Sequence, residues 1–335
     1  MRMKILSFQV NMTKPKIIVL DSSVMAHKAI FSYGLMLRAK YSGASTSNFI
    51  MKPDYTYFNM ILSILRRVTV KDGDTVLFAL DGRRSWRKAF LNEYKGNREA
   101  HRSAFTEIKW DEEYARIERI NNQLEEATNW QFVQLSDCVT MLELCQTVQG
   151  NKFHINNGTY DLDDTFGIEA DDIIAVCPKV FKDKEIVIVS IDKDLDMLAH
   201  YPNVKIFSLT IKHAGKKGFY KPVPDPLKVL ADKVRKGDVG DNILPSEGDT
   251  IKDAELRHFI IDLLDLPSFV DSLITQRLEN LKSKQMNYEL LPFPNSLGQS
   301  DNFDGIYATR NEVTWEESLR VQEKKAKKKV TKTKV

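Results

Sequence analysis

Three short apolar runs stand out along the chain, and each is closed by an aspartate: Lys16 to Leu20 before Asp21, Thr75 to Leu80 before Asp81, and Glu185 to Ile191 before Asp192. Unbroken runs of β-branched and aliphatic residues fit strands buried on both faces, as in a parallel sheet covered by helices. Segments of helical composition separate them, so the pattern predicts an α/β fold around a central, mainly parallel sheet with flanking helices. Parallel strands share a carboxyl edge, and ligands bind in the crevice outside that edge. Three aspartates are therefore expected on one rim. A fourth run, Val204 to Leu209, predicts another strand and carries no acid.

Between Arg83 and Trp130 the chain is polar and long. Tyr114, Ile117, Ile120, Leu124 and Ala127 fall on one face of an amphipathic helix. The part from Arg83 to Arg102 has no clean apolar face and carries Gly96 in mid-run, which predicts a helix or loop lying over the sheet edge. Beyond Leu209 the pattern turns helical and loop-rich, giving a smaller helical portion from about Pro222 to Pro226 onward. From Gln276 there follow a polar helix, a Pro/Asn/Gly stretch and a lysine tail. The expected organisation is an N-terminal extension over 1–14, a core over 15–210 that includes an arch at 83–130, a helical part over 211–275, and an extension over 276–335 ending in a basic tail at 324–335.

Composition narrows the class. Hydrophobic residues at 42% and charged residues at 28% of the 335 are those of a folded globular protein. No apolar run approaches the roughly 20 residues of a membrane helix. Asn11, Thr13 and Lys14 interrupt any signal-like stretch near the N-terminus, so a cytoplasmic location is expected. Cys138, Cys145 and Cys177 form no CxxC pair, which predicts packed thiols rather than a disulfide or zinc framework. The net charge of +3 hides seven lysines and no acid between Lys324 and Lys334, so the remainder is slightly acidic. Such a tail is a candidate tether to nucleic acid or to an acidic partner. From Arg83 to Arg102 there are seven Lys/Arg against Glu93 and Glu99, positive charge placed to hold a polyanion.

More acids recur at strand ends and helix starts. Glu169-Ala170-Asp171-Asp172 heads an apolar helix that Pro178 should stop within about two turns. Asp192 and Asp194 follow the third strand, and Asp238 and Asp241 sit in a Gly-containing turn. A calcium loop starting at Asp192 fails, because Met197 and Asn203 stand where glycine and glutamate are needed. Asp196 is expected at the surface or capping a helix, and Asp161, Asp163 and Asp164 in solvent. Together Asp21, Asp81, Glu169, Asp171, Asp172, Asp192, Asp194, Asp238 and Asp241 make nine carboxylates on one rim. Like charges so placed raise one another's pKa unless cations join them. Oxygen-only ligands select hard divalent ions, Mg2+ with Mn2+ as substitute. Two such ions form the clamp for in-line phosphodiester hydrolysis. The six histidines pair with no nucleophile, and no P-loop is present.

The ordered set Asp21, Asp81, Glu169-Ala170-Asp171-Asp172, Ser190 to Asp194 and Gly237 to Asn242, with Tyr94 to Arg98 between, resembles the flap endonuclease and 5′–3′ exonuclease family. It is most similar to the short bacteriophage 5′ nucleases of the phage RNase H type, over Lys16 to Asn242. The resemblance implies a PIN-like 5′ nuclease core with a helical arch, and a first metal site from Asp21, Asp81, Glu169, Asp171 and Asp172. Asp192, Asp194, Asp238 and Asp241 would serve the second, with Lys95 and Arg98 as the catalytic basic pair at the scissile phosphate. Arg83, Arg84, Arg87, Lys88, Tyr94, Lys95, Arg98 and Arg102 are the implied nucleic-acid contacts, Tyr94 by stacking on a terminal base. The implied substrates are branched or 5′-ended DNA and RNA–DNA hybrids, cut during primer removal by a monomer that meets a replication clamp or single-strand-binding protein. Downstream of Asp241 the chain has one glycine where the family often has a glycine-rich duplex-binding loop, so the resemblance does not extend to that loop or its K+ ion. A single-strand ribonuclease of the PIN type and a non-catalytic junction-binding protein are the alternatives.

Overall fold

The computed structural model describes residues 15–44, 50–71, 73–149, 160–209, 219–245, 247–282, 287 and 290. The N-terminal extension, the basic tail and most of the C-terminal extension lie outside these residues. Six strands form one sheet in the order β3-β2-β1-β6-β7-β8: β3 (Gln131–Gln134), β2 (Thr75–Leu80), β1 (Lys16–Asp21), β6 (Glu185–Ser190), β7 (Val204–Ser208) and β8 (Phe219–Lys221). All neighbours run parallel except β8, which is antiparallel to β7. The fold is therefore α/β with a mostly parallel central sheet. A separate pair, β4 (Val139–Thr140) and β5 (Thr165–Phe166), runs antiparallel.

Along β1 the alternation of a pleated strand places Ile17 and Val19 in one core cluster and Ile18 and Leu20 in the other, all essentially without solvent contact. One face is covered by α1 (Ser22–Tyr41), α2 (Pro53–Val68) and α4 (Trp110–Ala127), whose Ile117, Ile120, Leu124 and Ala127 are buried as the pattern predicts. The other is covered by α6 (Ala170–Val180), α5 (Met141–Gln149), α8 (Ile251–Ile261) and α9 (Ser268–Glu279). Pro178 lies in the last turn of α6. Helix α7 (Pro226–Lys236) precedes the Gly237 turn, and α3 (Asn97–Ser103) follows the basic loop.

Two features depart from the pattern read in the sequence. Strand β3 reads Gln-Phe-Val-Gln, too short and polar for an apolar-run criterion, and sits at the sheet edge. Helix α9 crosses the expected boundary at 275/276, with Ile274 and Leu278 buried in the core beneath the sheet. The C-terminal helices thus share the core of the sheet. Among the described residues no helix is long and apolar enough to cross a membrane.

Candidate metal centre

Connectivity reverses between β1 and β6, the central pair, and the crevice outside the carboxyl ends of those strands holds the acids. Asp21 ends β1, caps α1 by accepting from Val24 N at 3.0 Å, and is 3% exposed. Asp81 follows β2, and its Oδ1 accepts from Ala170 N at 2.9 Å. That junction depends on two glycines. A Cβ on Gly82 would lie 2.7 Å from Gly167 Cα, and one on Gly167 would lie 2.8 Å from Gly82 Cα. Only paired glycines let the end of β2 cross the lead-in to α6 this closely.

Helix α6 starts with a capping box between Glu169 and Asp172. Asp172 has no solvent exposure; Arg87 Nη2 donates to its Oδ1 at 2.6 Å, Arg87 Nη1 to its Oδ2 at 3.0 Å, and Trp86 Nε1 to Oδ2 at 2.9 Å. Arg87 also donates to Glu169 Oε2 at 2.8 Å and to Ile260 O at 2.7 Å. Expected at a metal site and in a phosphate contact, Asp172 and Arg87 are instead bound to each other inside the fold. Asp171, half-buried, has no such partner and is electrostatically coupled to Asp21, Asp192 and Asp81.

Tyr94, expected to stack on a base, is 3% exposed, and its hydroxyl lies 2.8 Å from Glu169 Oε2 and 3.1 Å from Asp241 Oδ2. Lys95 adopts φ +56°, donates its N–H to Asp241 O at 2.9 Å, and pairs through Nζ with Glu169. Arg98 Nη2 donates to Asp241 Oδ1 at 2.7 Å. Residues 94–98 are thereby laid directly on the acids. Arg83 and Arg102 are exposed and Lys88 half-buried; the Arg102 guanidinium stands over Trp110 and Tyr114. Arg84 pairs with Asp164 at 3.3 Å, while Asp161 and Asp163 face solvent as expected. Asp196 is buried rather than superficial, paired with Lys221.

Asp192, Asp194, Asp238 and Asp241 line a cleft of about 880 Å³. Asp194, Asp238 and Asp241 each offer an oxygen within 4.8 Å of the others, close enough to share one cation. A turn around Gly237, at φ +72°, brings Asp238 inward, and any Cβ there would collide with Ile243 O. Lys233, on the last turn of α7, donates to Asp238 Oδ2 at 2.6 Å and pairs with Asp194. No local signal marks it, because a lysine near a helix C-terminus is ordinary.

Burial, reinforced by Asp81 and Asp192, pushes Asp21 up to about 7. Burial with Asp21 and Asp192 drives Asp171 well above the carboxylate range, and burial also raises Asp81. Asp194 reaches about 7 through burial and Asp192, despite Lys233. Glu169 behaves oppositely: burial would raise it, but Lys95 and Arg87 prevail and hold it at about 2. Asp21, Asp81, Asp171 and Asp194, raised by burial and by one another, supply oxygens alone and so suit a hard divalent cation. Asp238, Asp241 and Glu169, by contrast, already meet Lys233, Arg98, and Lys95 with Arg87. Among the described residues it is Asp194, Asp238 and Asp241 whose oxygens come close enough to share an ion. One consequence is thermodynamic. A carboxyl raised in the folded state favours folding below its unfolded pKa of about 4 and loses that contribution as pH climbs through about 7. Asp21→Asn, which retains the acceptor that caps α1, is expected to melt higher than the parent in chelator at pH 8. The gap should close below pH 4; equal melting curves at pH 8 would contradict the assignment.

Comparison with protein-family models and with curated proteins finds no match for the chain.

Proposed function

We propose that the protein is a metal-dependent 5′ nuclease with a PIN-like core, hydrolysing phosphodiesters in RNA–DNA hybrids, 5′ flaps or duplex 5′ ends. The observation that carries the reading is the set of acids gathered at the switch point of the sheet, of which Asp194, Asp238 and Asp241 offer oxygens within 4.8 Å of one another. Asp21, Asp192 and Asp81 each act to raise Asp171, and Asp192 and Asp238 to raise Asp194. Asp21, Asp81, Glu169 and Asp171 would hold one Mg2+, and Asp192, Asp194, Asp238 and Asp241 the second. Bound there, the pair would lower the pKa of the attacking water and stabilise the leaving oxygen of an in-line displacement.

The chain's own residues supply the rest. Lys95 and Arg98 are held at the rim by Glu169 and Asp241, and both stay cationic: burial works against them, but these carboxylates raise each above its usual value. In this reading they would take up charge developing on a phosphoryl oxygen. Tyr94 and Arg87 fix the Glu169 carboxylate from behind. Arg83, Lys88 and Arg102 would add cationic contacts to a nucleic-acid strand, and cytoplasmic primer removal alongside replication proteins is the setting this chemistry suits.

The reading is tested with a 5′-labelled RNA–DNA hybrid, a flap DNA and single-stranded RNA, each incubated with Mg2+ or chelator. Metal-dependent cleavage of hybrid and flap, leaving 5′-phosphates, is the expected result. Cleavage of single-stranded RNA alone would favour the ribonuclease, and tight flap binding without turnover the junction-binding protein.

A further inference from the structure

Away from the carboxylates, α1 and α2 border a second cleft, of about 620 Å³, that shares no lining residue with the first. Met51, Met60 and Leu209 give it apolar walls, while Lys28, Arg66 and Arg67 bring positive charge, Arg66 being also engaged in a further interaction. Among the described residues, no carboxylate and no aromatic ring lines it. Lys28 and Arg67 are both half-buried, and neither forms an ion pair with any described residue. For Arg67, burial alone draws the pKa downward, with no acid to oppose it. A partly desolvated guanidinium without a counter-charge is unfavourable unless an anion completes its surroundings.

The geometry points to a docking site for an acidic, apolar peptide segment of a partner protein, its carboxylates on Lys28 and Arg67 and its hydrophobic side chains between Met51, Met60 and Leu209. Charge complementarity sets the sign of the occupant. The walls set its class, since methionines adapt to varied aliphatic and aromatic side chains. A nucleic-acid strand is held by cations interleaved with aromatic stacking faces, and no aromatic ring among the described residues lines this cleft. Leu209 N–H donates to Ser190 O at 3.2 Å, and Ser190 Oγ accepts from Asp192 N at 3.0 Å. The partner would therefore sit beside the carboxylate rim without crossing it. The inference goes beyond the proposed hydrolysis and does not depend on it.

The test is selection of a random dodecapeptide display library on the full chain, then fluorescence anisotropy of the enriched peptides and of labelled dT12 against the parent, the Lys28→Glu/Arg67→Glu variant and Lys28→Ala. Thermal melts establish that each is folded. Expected are peptides combining Asp or Glu with Leu, Ile or Phe, bound at least tenfold more weakly by the double variant and more weakly in high salt, with dT12 binding unchanged. The inference is overturned if no acidic apolar peptide is enriched, if enriched peptides bind the double variant as well as the parent, or if that variant loses dT12 instead.

Discussion

Replacing Arg87 by alanine is expected to destabilise the fold more than any other single change to the residues around the acidic rim. The guanidinium is 3% exposed and serves four acceptors at once: both oxygens of Asp172, Glu169 Oε2 and Ile260 O. Burial acts to strip its proton, yet Asp172 and Glu169 raise its pKa well above the ordinary value. Removing it leaves Asp172, with no solvent exposure, held only by Trp86 and the backbone at the start of α6. Breaking a buried pair from one side costs about 3–5 kcal/mol, which in a domain of this size lowers the melting temperature on the order of 10 °C. Calorimetry checks this directly. Arg87→Met combined with Asp172→Leu should recover much of the loss, because it leaves neither charge of the main pair alone; Glu169 keeps Lys95 as its partner. A melting temperature for Arg87→Ala within about 2 °C of the parent would show that water reaches this cluster.

The same pair marks the limit of what the chain's pattern reveals. Apolar runs ending in aspartate give the strands β1, β2 and β6 and the rim beyond them, because burial on both faces leaves a composition that few other structures share. Adjacency of Glu169, Asp171 and Asp172 on one helix start is also legible. Which of two neighbouring acids turns outward is not, since it depends on Arg87 arriving from a segment 85 residues away. A count of cations over Arg83 to Arg102 treats Arg87 like Arg83, although one is enclosed and the other exposed. Tyr94 is hidden for the same reason: its hydroxyl meets Glu169 and Asp241 across 75 and 147 residues. Lys233 and strand β3 carry no local signal, and only their tertiary neighbours give them a role.

Asp171 and Asp172 should therefore separate chemistry from stability. Asp171→Asn is expected to abolish cleavage, by about a thousandfold or more, since the cation clamp in such a site supplies several kcal/mol to the transition state. It should leave flap binding intact, because Lys95 and Arg98 keep Glu169 and Asp241 as partners. Its melting temperature in chelator should equal or exceed the parent's, as one member of a repelling group has been neutralised. Asp172→Asn acts the other way round. It removes the charge that Arg87 grips with two hydrogen bonds, so the melting temperature should fall by several degrees, while the folded fraction still cleaves below that temperature. Gel cleavage assays, flap-binding anisotropy and thermal melts on both variants decide the matter. If Asp171→Asn cleaves at the parent rate, or if Asp172→Asn is as stable as the parent yet inactive, the roles assigned to these two carboxylates are reversed and the metal centre must be redrawn around Asp172.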